Sequence, residues 1–151
     1  MPYIEENLIT GEEIISKAKL HPYPMYFYGV LAVIGVVMLF SSRESAVVGL
    51  LLVPFGILML IVHVITSKTT ELAVTNKRVV AKTGLIARNT VELQHGKIES
   101  LEVKQGIMAR IFGAGTIIIH GSGGVASPIK FISKPLEFRK SVYEAVEKSK
   151  T

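Results

Sequence analysis

The chain has no cysteine and no tryptophan, and all 12 of its acidic residues are Glu, so it has no aspartate. Without thiols there is no disulfide scaffold, no cysteine nucleophile and no thiolate zinc or iron–sulfur site. Without Asp there is no Ser-His-Asp triad, EF-hand loop or Walker-B-type magnesium ligand, although Glu substitutes in some such sites. Charge is scarce as well: 19% of the 151 residues are charged, against roughly 25% in ordinary soluble domains. Apolar residues fill the difference, at 49% before glycine is counted, and the mean hydropathy is +0.45. This composition excludes a disordered chain and is too apolar for a typical soluble domain. The length suits one modest domain and little else.

The apolar excess is concentrated. Tyr23 to Phe40 and Ala46 to Ile65 contain no charged residue. At 1.5 Å per residue they span roughly 27 and 30 Å, the thickness of a bilayer core. Only Ser41, Ser42, Arg43, Glu44 and Ser45 lie between them, which forces an antiparallel arrangement. The expectation is a two-helix transmembrane hairpin over residues 23–66, with spans 23–40 and 46–65. The competing assignment, two buried core helices of a soluble protein, fits two adjacent uncharged runs poorly. Glu5, Glu6, Glu12 and Glu13 precede the first run, where a cleavable signal needs basic residues. After Ile65 come 14 Lys and Arg against 7 Glu, so the positive-inside rule puts both termini in the cytoplasm. Gly29, Ala32, Gly35, Gly49 and Gly56 recur at helical spacing and are candidates for close helix packing. His63 is the one residue of the spans whose ordinary titration lies near neutral pH, and it reads as an interfacial histidine rather than a proton relay.

Residues 67–151 alternate in short stretches separated by turn signals. Leu72 and Val74 share one face. Asn76-Lys77 suits a tight turn, because Asn tolerates the left-handed conformation. Val79 and Ala81 then oppose Arg78 and Lys82. Leu85 to Leu93, Lys97 to Lys104, Thr116 to His120 and Pro128 to Ile132 continue the pattern, and Ile107 to Phe112 reads as a short helix or turn. Such spacing predicts a sandwich or small barrel. From Pro135 the period lengthens: Phe138, Val142, Ala145 and Val146 fall on one helical face. The N-terminal residues 1–22 include Ile14, Ser16, Ala18 and Leu20 in alternation with Ile15, Lys17 and Lys19. A half-buried strand that joins the following sheet, or a short amphipathic helix, accounts for them.

Three stretches carry a resemblance. They are Glu5 to Ile15 with Ala18-Lys19-Leu20-His21; Val74-Thr75-Asn76-Lys77-Arg78-Val79-Val80 continuing to Lys82-Thr83-Gly84-Leu85; and Ile98 to Val103 followed by Gly106 to Thr116. In this order around an apolar hairpin, the chain resembles the membrane-anchored bacterial pleckstrin-homology-like (PH-like) proteins. The resemblance implies an α+β membrane protein: a two-helix transmembrane hairpin followed by a PH-like β-barrel of about seven strands, capped by a C-terminal α-helix. It implies a prokaryotic cytoplasmic membrane and no assigned chemistry. A related soluble family assembles into rings, which adds a homo-oligomer to the expected states.

No constellation for catalysis stands out. His21, His63, His95 and His120 are not at metal-ligand spacing and read as interfacial or surface positions. Gly121-Ser122-Gly123-Gly124 lacks the Gly-Lys-Ser/Thr ending of a phosphate loop. No cofactor or metal is expected, and no enzymatic activity. Arg78, Lys82 and Arg88, with Lys68 and Lys77, form a candidate basic patch for anionic lipid head groups or an acidic partner. Nucleic acid is not expected, because no aromatic residues interleave the basic ones. The expected function is a non-enzymatic, membrane-anchored binding or scaffold module that engages lipid head groups, a protein partner or itself. The alternative is a small accessory subunit of a membrane transport or export complex.

Overall fold

The computed structural model describes residues 3–84, 89–122 and 124–149. The chain divides into two compact units, Met1–His21 with Thr69–Thr151, and Pro22–Lys68. The fold is mixed α+β, with two antiparallel sheets in the first unit and apolar helices in the second.

The helical unit contains α2 (Tyr23–Leu39) and α3 (Arg43–Thr69), α1 being a single turn at Tyr3–Glu6. Helix α3 starts earlier than its apolar run because two serines cap it. Ser42 Oγ accepts the Ser45 amide at 3.3 Å, and Ser45 Oγ accepts the Ser42 amide at 3.0 Å. This reciprocal arrangement satisfies two orphan amides of the first turn. The connection thereby contracts to Phe40, Ser41 and Ser42. At the other end α3 continues past Ile65 to Lys68, whose ammonium suits the negative end of the helix dipole. His63 is therefore more than a turn from the end of α3, and it is buried. By length and composition α3 could cross a membrane; α2 is apolar but shorter.

The two helices meet backbone to backbone. A Cβ on Gly49 would lie 2.5 Å from the Gly35 carbonyl oxygen and 2.9 Å from the Leu39 nitrogen. A Cβ on Gly35 would come within 3.0 Å of Leu52 and Val53, and one on Gly56 within 3.0 Å of the Ala32 Cβ. These pairings run in opposite chain directions, so the hairpin is antiparallel. Gly29 is different: among the described residues a Cβ there meets nothing within 4 Å, so it has no part in this contact.

In the other unit, β1 (Ile14–Ala18), β2 (Glu71–Thr75), β3 (Arg78–Thr83) and β4 (Asn89–Gln94) form one sheet in that order. A 3₁₀ turn at His95–Lys97 leads to β5 (Ile98–Lys104), β6 (Ala114–Gly121) and β7 (Val125–Ser133), the second sheet. Both β6 and β7 are longer than the alternation alone defines. Helix α4 (Ile107–Ile111) joins β5 to β6, and α5 (Pro135–Lys148) ends the chain. Period-two residues Leu72, Val74, Val79 and Ala81 face Leu101, Ile117, Ile119, Ile129 and Ile132 across the core. Phe138, Val142 and Ala145 of α5 enter the same cluster, with Val146 against it. Gly115 permits that docking, since a Cβ there would be 2.9 Å from the Pro135 ring. Leu85 and Ala87, expected in the fourth strand, fall outside the described residues.

The residues just after β1 also touch β7. Leu20 bridges Ile132, the His21 amide donates to the Phe131 carbonyl at 2.6 Å, and the Ser133 amide donates to Lys19 at 2.8 Å. The Phe131 carbonyl is turned outward by a bulge. Gly115 pairs with Ile132 and Ile117 with Ile129, so two steps on β6 oppose three on β7. Phe131 takes φ 60°, a left-handed conformation that bulky residues rarely adopt.

Candidate functional site

Arg78, Val80 and Lys82 alternate with the core residues Val79 and Ala81, so they point to the outer face of the first sheet. Their neighbours on β2 are Glu71, opposite Lys82, and Ala73, opposite Val80. The N-terminal residues cover this face. Ile4, Ala73 and Val80 form a second buried cluster, with Tyr3, Leu8 and Ile14 packed against it. Ile14 reaches that cluster through a bulge: it pairs with Thr75 while Ser16 pairs with Val74. The extra residue moves Ile14 to the opposite face from Ser16 and Ala18, which corrects the simple alternation expected for β1.

Glu12 and Arg78 are the centre of this arrangement. Glu12 is only 6% exposed. Its Oε1 accepts Arg78 Nε at 2.9 Å and the Thr75 hydroxyl at 2.7 Å. Its Oε2 accepts Arg78 Nη2 at 3.0 Å and the Ile9 amide at 2.8 Å. The pair is thus bidentate, the geometry in which guanidinium and carboxylate bind most specifically. Burial pushes the Glu12 carboxyl up, but the bonds from Arg78, the Ile9 amide and Thr75 outweigh it and hold the group below its ordinary value. The same bond to Glu12 raises Arg78 further. Arg78 also pairs with Glu92 on β4 and donates to the Asn7 carbonyl at 2.9 Å.

The other cations are distributed differently. Lys77 Nζ donates to the Thr10 carbonyl at 2.7 Å. Lys82 lies 3.9 Å from Glu71 and 4.5 Å from the centre of the Tyr3 ring. Glu71 in turn accepts the Tyr3 and Ile4 amides at 3.0 and 3.1 Å, closing the start of α1. Lys68 is exposed in the last turn of α3, in the other unit, and Arg88 lies outside the described residues. Arg78, Lys77 and Lys82 therefore each contact this chain's own N-terminal segment, while Lys77 remains exposed. Glu12 and Glu71 complete the arrangement, yet neither follows from local spacing, because their partners are distant in sequence.

Asn76 contributes through its side chain. No described residue other than Phe131 and Lys134 has positive φ outside glycine, so the left-handed turn expected at Asn76 is absent. Its Oδ1 accepts the Glu13 amide at 3.0 Å and its Nδ2 donates to the Gly11 carbonyl at 3.0 Å. The amide side chain clips the N-terminal segment to the β2–β3 turn.

The histidines offer no metal centre, and among the described residues no group of three His, Cys, Asp or Glu could hold a metal ion. His95 is buried at 4% exposure, not a surface residue as its position between strands implied. Its Nε2 is 2.9 Å from the Thr75 carbonyl oxygen, an acceptor, which assigns the ring proton to Nε2. His120 lies 3.6 Å from Glu102 on the neighbouring strand. What the site can do chemically is hold a peptide segment through charge-assisted bonds and backbone amides.

Comparison with known proteins places a family on the chain. The family model described as the bacterial PH domain matches residues 27–146, which is well over half of the chain. The matched segment includes Arg78, Lys82 and α4, and leaves out the residues that carry Glu12 and β1. No curated protein and no solved structure matches the chain.

Proposed function

We propose, from the premise that this chain belongs to the bacterial PH domain family, that it is a membrane-anchored binding or scaffold module at the cytoplasmic face of a prokaryotic membrane. PH-like domains are generally non-catalytic binding modules, and the two-sheet unit has the parts of one. The observation that carries the membrane assignment is the surface of the helical unit. Its helices turn Phe27, Val33, Val37, Leu50 and Leu51 outward, each more than 60% exposed. That much apolar surface is unfavourable in water and natural in lipid, where backbone-close packing at Gly35, Gly49 and Gly56 supplies the attraction between helices. Helix α3 rises about 40 Å, long enough for a bilayer core with some tilt. The basic excess after Ile65 supports cytoplasmic termini.

The test is extraction of native membranes with alkaline carbonate, followed by protease treatment of sealed inverted and right-side-out vesicles. An anchored module stays in the pellet, and its two-sheet unit is cut in inverted vesicles only. Release into the supernatant would remove the anchor, and cleavage in right-side-out vesicles would reverse the topology. A second reading, an accessory subunit of a transport or export complex, is favoured by Gly29. It lies on a face of α2 where Tyr26, Val30 and Val33 are exposed, a surface another helix could approach. A photo-crosslinker at Val33 that captures a membrane protein, where one on α5 does not, would favour it.

A further inference from the structure

We propose that α4 is a second membrane contact, an apolar wedge that enters the head-group region of an anionic bilayer; this rests on the membrane-anchored reading above. None of its residues is buried. Ile107 is 83% exposed, Ile111 71% and Met108 59%, and Phe112 follows at 39%. A cluster of large apolar side chains on the water-facing surface of a packed unit marks a contact. The two-sheet unit already has a complete core, so these side chains are surplus to its folding.

The wedge is held in place. The Arg110 amide donates to the Gly106 carbonyl at 2.8 Å and the Gly113 amide to Arg110 at 3.1 Å. Gly113 takes φ +69°, and its carbonyl accepts the Lys134 amide at 2.8 Å. Gln105 donates to the Ala114 carbonyl at 2.7 Å across the base of the loop. The apolar tip is thus presented on a fixed frame between β5 and β6, with little ordering left to do on contact.

Charge selects lipid as the occupant. From Val103 to Leu136 there is no acidic residue, while Lys104, Arg110, Lys130 and Lys134 are present; Lys104 and Lys134 pair with the flanking Glu102 and Glu137, which leaves a net positive stretch. Arg110 and Lys134, with Leu136 and Glu137, line an open depression of about 310 Å³ beside the wedge. Apolar side chains with Arg110 among them, in a stretch of net positive charge, match acyl chains beneath anionic head groups. A second copy of the same face would bring like charges together. The unit is also joined at both His21 and Thr69 to the segment that contains α3, so membrane anchoring would raise its local concentration at the bilayer.

The absence of cysteine makes the test direct. Full-length Ile111→Cys, Leu58→Cys and Lys140→Cys proteins, each with one environment-sensitive fluorophore, are placed in nanodiscs of anionic or neutral lipid carrying lipid-borne quenchers. The inference predicts loss of emission at positions 111 and 58 but not at 140. The loss at 111, and not at 58, is smaller in neutral lipid and after Arg110→Glu. Quenching at 58 without quenching at 111 overturns the wedge and leaves the anchor standing. No quenching at either position overturns both. A label at 111 that is shielded from aqueous iodide yet untouched by lipid quenchers means that protein covers α4, which also overturns the wedge. Position 111 is exposed, so the label itself does not disturb packing.

Discussion

In Pro22–Lys68 the tightest contacts are made by backbone, at Gly49 against the Gly35 carbonyl and at Gly56 against Ala32. In the two-sheet unit the defining contact is polar: Glu12, buried beneath the N-terminal segment, grips Arg78 with both oxygens. The difference follows from what each unit has available. The helical unit has only apolar side chains over most of its length, so shape alone can specify how its helices meet. The sheet unit already has a core that drives folding. It uses charge-assisted bonds to fix one segment in one place, because hydrophobic contact is not directional. The same chain thus sets specificity by sterics where charge is absent and by charge where sterics leave freedom.

The sharpest way to break this contrast is Arg78→Ala. It leaves the Glu12 carboxylate buried without its counter-ion, and the loss of a buried partner costs about 3–5 kcal/mol. The expected result is a large fall in the denaturation midpoint, with rapid hydrogen exchange in residues 4–18. If exchange there stays slow, the pair does not hold the segment. Next in size is Gly49→Ala. Its Cβ meets backbone atoms that cannot rotate away, so it should cost about 1–3 kcal/mol as overpacking does elsewhere. Gly29→Ala is its counterpart, where the added methyl finds open space and improves helix propensity by up to about 1 kcal/mol. Thermal unfolding in detergent should separate the two by sign, and equal losses would show that glycine position is irrelevant.

Smaller still is Asn76→Ala, which removes two hydrogen bonds that are partly open to water, worth about 0.5–1.5 kcal/mol each. It should speed exchange at residues 11–13 and leave the helical unit unchanged. Acid titration tests the same clasp by another route. Glu12 has a lowered folded value, so its contribution is complete above the ordinary carboxylate value of about 4.3 and is lost as pH falls through the folded one. The two-sheet unit should therefore lose stability below about pH 4, and Glu12→Gln should flatten that limb. At the bottom of the range, Lys140→Ala removes an exposed pair with Glu144 on α5 and should leave the midpoint unchanged.

Alternation and period carried much of the fold. Leu72 with Val74, Val79 with Ala81, and Phe138 with Val142 and Ala145 were readable because strands and helices expose their faces at fixed intervals. The outer face of β2 and β3 was less readable. Arg78 and Lys82 look solvent-facing in any local window, and only residues 3–14 turn that surface into a second core. Arg78 and Lys82 were therefore legible as cations on one face but not as parts of a clasp. Gly35, Gly49 and Gly56 could be marked as small residues at helical spacing. Nothing in that spacing distinguishes them from Gly29, since helix contact depends on where the axes cross.

Local pattern was enough for most of the strands, the two apolar helices and the amphipathic last helix. Each of these depends on neighbours within a few residues. The tertiary structure decided the partner of Arg78, the bulges at Ile15 and Phe131, the burial of His95 and which glycines touch. Those depend on atoms brought together across the chain: Glu12 and Arg78 stand 66 residues apart. The missing aspartate and cysteine exclude many chemistries from the outset. They could not foretell that a buried glutamate would become the centre of a fold whose remaining charges lie mostly at its surface.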